Sequence, residues 1–236
     1  MLVDTMDHIE ITNEIKKDYE KIMATTVKRL AGEYERERKK LKIDKTRTYT
    51  KHYCIKTARK NNWIIFLRKF STKEKFELGD DVLVFLIVYY YNKTGLRVFE
   101  ARSMELMVVY NGHFFTRYNE RMKLNLSRPL DILIHYFKYS RHQVYKPVIK
   151  GGRNFVIGVS AAGLTLGEVQ HGLKWLVNKT FISRDLLKPE QDEMEKEIIT
   201  TLQTEIDKEM IAPKMNETKL LHKMENFDAI KGLPMD

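Results

Sequence analysis

A histidine and two arginines stand four residues apart in the segment GHFFTRYNERMK: His113, Arg117 and Arg121. Positions i, i+4 and i+8 stack along one side of a helix, while Phe114, Phe115, Tyr118 and Met122 take another side. Asn111 falls at the expected N-cap, which puts His113 in the first turn. An imidazole can take or give a proton, and two guanidiniums can hold a phosphate through charge-assisted N–H bonds. That set is sufficient for metal-free RNA cleavage, in which the 2′-hydroxyl attacks its own phosphate. The protein then has only to move protons and neutralise the developing charge. The competing reading is an amphipathic helix whose polar side holds His and Arg without function, with Arg117 or Arg121 paired to Glu120 or Glu100.

Other chemistries find less support. The seven histidines (His8, His52, His113, His135, His142, His171 and His222) include no closely spaced pair beside a carboxylate. His135 and His142, seven apart, would share a helix face, but no acidic ligand accompanies them. Neither a metal nor a cofactor is expected. Gly151-Gly152-Arg153 and Gly163-Leu164-Thr165-Leu166-Gly167 match neither a Rossmann nor a Walker loop, and read as hairpin turns. There is no GxSxG, and Ser160 sits in a strand-like context. The single cysteine, Cys54, excludes a disulfide framework and reads as a small buried hydrophobe in a strand.

The charge is uneven. The 236 residues carry 42 Lys+Arg against 32 Asp+Glu, a net +10. Residues 36–75 alone hold 15 basic and three acidic side chains, or +12, so the rest of the chain sums to −2. Residues 115–155 add a second basic stretch of +7, and the segment from 190 onward is −6. Two basic stretches on one face would attract a polyanion and release its counterions. Lys51, Lys56, Arg59, Lys60, Arg68 and Lys69 are the candidates for that track, with Tyr53 or Trp63 available for base stacking. The plain alternative is solvated surface, and the acidic tail could fold back to mask it.

Residues 7–41 show a helical stripe of Ile9, Ile11, Ile15, Tyr19, Ile22, Met23, Val27, Leu30 and Tyr34. From Thr48 the pattern becomes strands: TYTKHYCIKT, NNWIIFLRKF, DDVLVFLIVYYY, LRVFEA and MELMVVY. Asn92-Lys93-Thr94-Gly95 marks a hairpin turn between the third and fourth. The middle strands are apolar on both faces, so helices should cover the sheet. After the His/Arg helix, Ser127-Arg128-Pro129 opens a second helix, LDILIHYFKY. Three more strands follow, NFVIGVSAAG, LTLGEVQHG and LKWLVNKTFI, and then an amphipathic helix after Pro189 with Ile198, Ile199, Leu202, Ile206 and Met210. The fold class expected is α+β, a mainly antiparallel sheet with covering helices and helical extensions at both ends. The segments are a helical extension over 1–45, an α+β core over 46–188, and an acidic helix and tail over 189–236. The longest apolar run, residues 82–91, is about half the length of a membrane helix. The acidic N-terminal segment lacks an apolar secretory core, so a cytoplasmic protein without membrane association is expected.

The order of a strand, an HxxxRxxxR helix, a second short helix and strands ending in a Thr-bearing strand resembles the RelE-like and colicin-like metal-free endoribonucleases of bacterial toxins. It also resembles relatives carrying a helix of the form HAxxRMxxRGI. Here the helix reads HFFTRYNERM from His113 and the final strand WLVNKTFI from Trp175. The resemblance covers residues 104–183, about a third of the chain. It implies that the helix His and Arg and a polar residue of the final strand line the active groove, which by position are His113, Arg117, Arg121 and Thr180. The N-terminal helices and the hairpins of residues 48–101 have no counterpart in a minimal toxin.

The expectation is therefore a nucleic-acid-binding protein, RNA more than DNA, with a metal-independent endoribonuclease site. The alternative is a non-catalytic accessory protein of a phage or mobile element, binding nucleic acid or a protein partner, or a second copy of itself, through its terminal helices. That alternative requires an apolar face on residues 198–210 that the chain's own core leaves uncovered.

Overall fold

The computed structural model describes residues 1–40, 49–69, 83–101, 106–140, 144–150, 153–160, 162–170, 175–191, 193, 196, 198 and 200. The protein is α+β, with its strands mainly antiparallel, and it forms two compact units, Met1–Val109 and Tyr110–Asp236. No helix among the described residues is long and apolar enough to cross a membrane.

In the first unit, helix α1 (His8–Lys21) starts at a capping box: the Asp7 carboxylate accepts from the Ile9 and Glu10 amides, and Glu10 accepts from the Asp7 amide. A π-helical segment (Ile22–Val27) joins it to α2 (Lys28–Lys40). The stripe explains the π turn. Ile11, Ile15, Ile22, Val27, Leu30 and Tyr34 are all buried, and the step from Ile22 to Val27 is five residues. An α-helix would carry Val27 off the buried face; a wider π turn keeps both residues on it. Ile9 (57 % exposed) and Met23 fall outside the buried stripe.

Strands β1 (Tyr49–Lys56), β2 (Asn62–Lys69), β3 (Leu83–Asn92), β4 (Gly95–Ala101) and β5 (Met107–Tyr110) follow in spatial order β1-β2-β3-β4-β5. The β1–β2, β2–β3 and β3–β4 pairs are antiparallel. Asn92 pairs with Gly95 across the Lys93-Thr94 turn, and Gly95 takes φ 111°, a conformation that favours glycine. Trp63, Ile64, Ile65, Phe66 and Leu67 are all fully buried, so β2 is covered on both faces. The N-terminal helices cover one of them. Trp63 Nε1 donates to Asp18 at 3.1 Å, and Tyr34 Oη donates to the Tyr49 carbonyl at 2.6 Å.

The second unit holds α3 (Gly112–Arg121), α4 (Pro129–Tyr139) and strands β6 (Val144–Lys150), β7 (Arg153–Ser160), β8 (Gly163–Gln170) and β9 (Trp175–Ser183). The last four lie in the order β9-β8-β7-β6, each pair antiparallel. Strand β6, VYKPVIK, is absent from the strands expected of the sequence. It lies at the end of the order, where Pro147 is tolerated because one side of the strand needs no ladder. Gly167 lies inside β8 and not in a hairpin turn, contrary to expectation. The described positions from Pro189 to Thr200 are helical. Ile198 is 3 % exposed there and packs on Ile157, Val159 and Leu164, so the chain's own core covers this end of the proposed docking face. Ile199, Leu202, Ile206 and Met210 lie outside the described residues.

Candidate nucleic-acid interface

Helix α3 begins at Asn111, whose backbone is extended but whose side chain makes no cap bond. One side of the helix is anchored by rings. Phe114 and Tyr118 meet Tyr136 of α4 edge-on, each with centroids 5.1 Å apart, and Tyr118 meets Phe181 of β9 at 5.0 Å. All four are fully buried, and edge-to-face pairs of this kind fix rotation about the helix axis. Asn119 adds a staple: its side chain both donates to the Leu126 carbonyl (3.0 Å) and accepts from the Leu126 amide (3.2 Å). It thereby holds the short link to α4, in which Lys123 and Asn125 adopt positive φ.

With that side fixed, the row of His113, Arg117 and Arg121 faces outward. His113 and Arg117 are exposed and Arg121 is half-buried. Arg117 Nε lies 3.4 Å from His113 Nε2, and its Nη1 donates to Glu120 at 2.9 Å. Arg121 Nη1 lies 3.5 Å from Thr180 Oγ1 of β9, a contact spanning 59 residues of sequence. The four residues thus form two linked pairs along α3 and β9. The Glu120 bridge is between side chains 44 % and 52 % exposed, where ion pairs contribute about 0–1 kcal/mol. A phosphate can displace it cheaply.

Thr180 is positioned by a bulge. The β8–β9 register runs Leu166↔Thr180 and then Gly167↔Asn178, leaving Lys179 as the extra residue. Such an insertion shifts the strand's alternation by one and re-aims the side chains on either side. Gly167 permits it, because a Cβ there would stand 2.4 Å from the Val177 carbonyl oxygen. Lys179, turned out by the bulge, pairs with Glu168 at 2.9 Å. A glycine inside an otherwise regular strand was the one signal of this in the sequence.

Behind the row sits a polar network that sequence reasoning did not find. Tyr118 Oη lies 3.0 Å from His135 Nδ1 and 2.8 Å from Ser140 Oγ. Burial, with a smaller contribution from Lys138, holds His135 below its ordinary pKa, so it is neutral at pH 7. Burial pushes the Tyr118 phenol up. His135 is therefore engaged between α3 and α4, while His142 lies outside the described residues.

The basic candidates of the first unit divide. Lys56 and Lys60 are exposed, with Lys60 at the β1–β2 turn in positive φ (63°). Lys51 is paired with Glu37, and Arg59 with Glu14. Arg68 is buried at 8 % exposure, so it cannot serve as a surface contact as it stands. Lys69 ends β2, and its side chain is outside the described set. Trp63 is fully buried and donates to Asp18, so it offers no stacking surface; Tyr53 is half-buried beneath Lys51. Cys54 is exposed, not buried as expected, because among the described strands β1 has a neighbour on only one side and His52, Cys54 and Lys56 alternate on the face away from Tyr53.

Comparison with protein-family models, with curated proteins and with solved structures finds no match to this chain.

Proposed function

We propose that the protein binds RNA at the α3–β9 surface and cleaves it there without a metal. The observation that carries this reading is the contact of Arg121 with Thr180 in line with the exposed pair His113 and Arg117. In the reaction, Arg117 and Arg121 bind the non-bridging oxygens of one phosphate, and Thr180 donates a supporting hydrogen bond. His113 Nε2 takes the proton of the adjacent 2′-hydroxyl as that oxygen attacks phosphorus. The P–O5′ bond breaks and the leaving oxygen takes a proton from water. The products are a 2′,3′-cyclic phosphate and a 5′-hydroxyl. This route needs a 2′-hydroxyl, which is why RNA and not DNA is the substrate.

One observation favours a second reading, binding without cleavage. Arg117 Nε points at His113 Nε2, the very atom that would take the proton, and Glu120 holds the other end of the guanidinium. Cleavage requires the phosphate to draw Arg117 away from both.

A labelled single-stranded RNA incubated with the protein in EDTA separates the two. The proposal expects cleavage that is lost in His113→Ala and reduced by about 10²-fold or more in Arg117→Ala. Salt-sensitive binding with no cleavage by the wild type establishes the second reading. Absence of binding at low salt overturns both.

A further inference from the structure

The first unit contains a cavity of about 520 Å³ between the π segment and the β1–β2 turn, lined by Lys17, Lys21, Arg29, Lys56 and Arg59, with Asp18 as its one acid. Its size is that of a small-molecule site. One acid does not balance five cations. Asp18 is buried and already accepts from Thr57 Oγ1 (2.7 Å), Asn61 Nδ2 (2.8 Å) and Trp63 Nε1 (3.1 Å). Arg59 is paired with Glu14, and Arg29 with Glu33 at 2.8 Å. Lys17, Lys21 and Lys56 are exposed and have no acidic partner among the described residues. Against the five cations stand Asp18 and the paired Glu14 and Glu33, so the concavity keeps an excess of two positive charges, which an anion can join.

The backbone at this place is also unusual. The π turn that forms one wall is rare in proteins and is found disproportionately at functional sites. Thr25 and Thr26 also line the cavity, with Ile55 and Ala58 among its apolar residues. A lining that combines cations with Ile55 and Ala58 suits a ligand with a multiply charged head and an organic body.

From this arrangement we infer that the cavity binds the polyphosphate group of a nucleoside triphosphate, either free or as the 5′ end of an RNA. The lysines hold the phosphates as point charges, and Ile55 and Ala58 lie against the organic part. The site is in the other unit from His113 and does not depend on the cleavage reading.

Isothermal titration at low salt with ATP, with sodium triphosphate, and with a short RNA bearing either a 5′-triphosphate or a 5′-hydroxyl tests this. Lys21→Glu and Lys56→Glu should each weaken ATP binding about tenfold or more. Lys93→Glu makes the same charge change at an exposed residue of the β3–β4 turn, outside the cavity lining, and should change it less than about threefold. Tighter binding of the 5′-triphosphate RNA than of its 5′-hydroxyl form, lost in the same two variants, assigns the site to RNA ends; ATP binding alone assigns it to free nucleotide. An equal loss in all three variants means diffuse attraction and overturns the proposal, as does no binding of either triphosphate at millimolar concentration. Loss of cleavage in His113→Ala with ATP binding intact keeps this result separate from the α3 site.

Discussion

Glu14 receives the Arg59 guanidinium, the Met1 ammonium at 2.6 Å and the Asn61 amide at 3.1 Å while itself 5 % exposed. Arg59 first, and then the ammonium and Asn61, overcome the burial that would raise its pKa, and hold the carboxyl at about 2 against an ordinary 4.5. A carboxyl depressed in the folded state contributes stability that is complete above pH 4.5 and is lost as pH falls through about 2. Urea denaturation across pH should show that acid limb. Glu14→Gln should flatten it and lower stability at pH 7 by roughly 2 kcal/mol, allowing for screening at half-exposed Arg59. His135 acts in the same pH direction by another route. Its pKa lies below 6.5 because burial, and then Lys138, disfavours the imidazolium, so protonation opposes folding as pH drops below 6.5. Tyr118→Phe leaves both His135 and the buried Ser140 without this hydroxyl and should cost about 1 kcal/mol, read from the same denaturation curves. None of these networks was legible in the sequence, because Glu14 and Asn61 are 47 residues apart and no periodicity links them. The row of His113, Arg117 and Arg121 was legible, because helical spacing alone stacks it.

At the scale of elements, period decides what can be read. The strands β2 to β4 announce themselves as apolar runs with a two-residue turn, and α3 and α4 as stripes behind Asn111 and Pro129. Strand β6 does not, since Pro147 breaks the pattern and only its place at the end of the sheet order makes that harmless. The π turn was present in the five-residue step from Ile22 to Val27, yet such a step looks like noise in a helical stripe until the burial of both residues is known. The bulge at Lys179 is the element-scale feature on which the site depends. Gly167→Ala would force a Cβ against the Val177 carbonyl, a backbone group that cannot rotate aside. We expect a loss of about 2 kcal/mol or more in thermal or chemical unfolding. Any protein that still folds should show weakened RNA binding, because Thr180 and its contact with Arg121 move with the strand.

For the whole molecule, the net charge of +10 sets long-range attraction for a polyanion. Yet the local accounting is less generous than the composition: Lys51 and Arg59 are matched by Glu37 and Glu14 of the N-terminal helices, and Arg68 is buried. Charge counts along a sequence cannot anticipate such pairing, since Glu37 is 14 residues from Lys51 and Glu14 is 45 from Arg59. Affinity for single-stranded RNA should still fall with salt, and Arg121→Ala should reduce the slope of log K against log salt by about 0.7, the value for one lost phosphate contact. In the reaction we propose, a phosphate held by Arg117 and Arg121 reacts beside His113. Its most direct test is an RNA of one sequence with a single 2′-deoxy nucleotide at the mapped scission point, incubated in EDTA with the wild-type protein. Binding should be unchanged, scission abolished at that point, and a 2′,3′-cyclic phosphate end left on the unmodified control. Scission that persists at the deoxy position, or that EDTA stops, would contradict it.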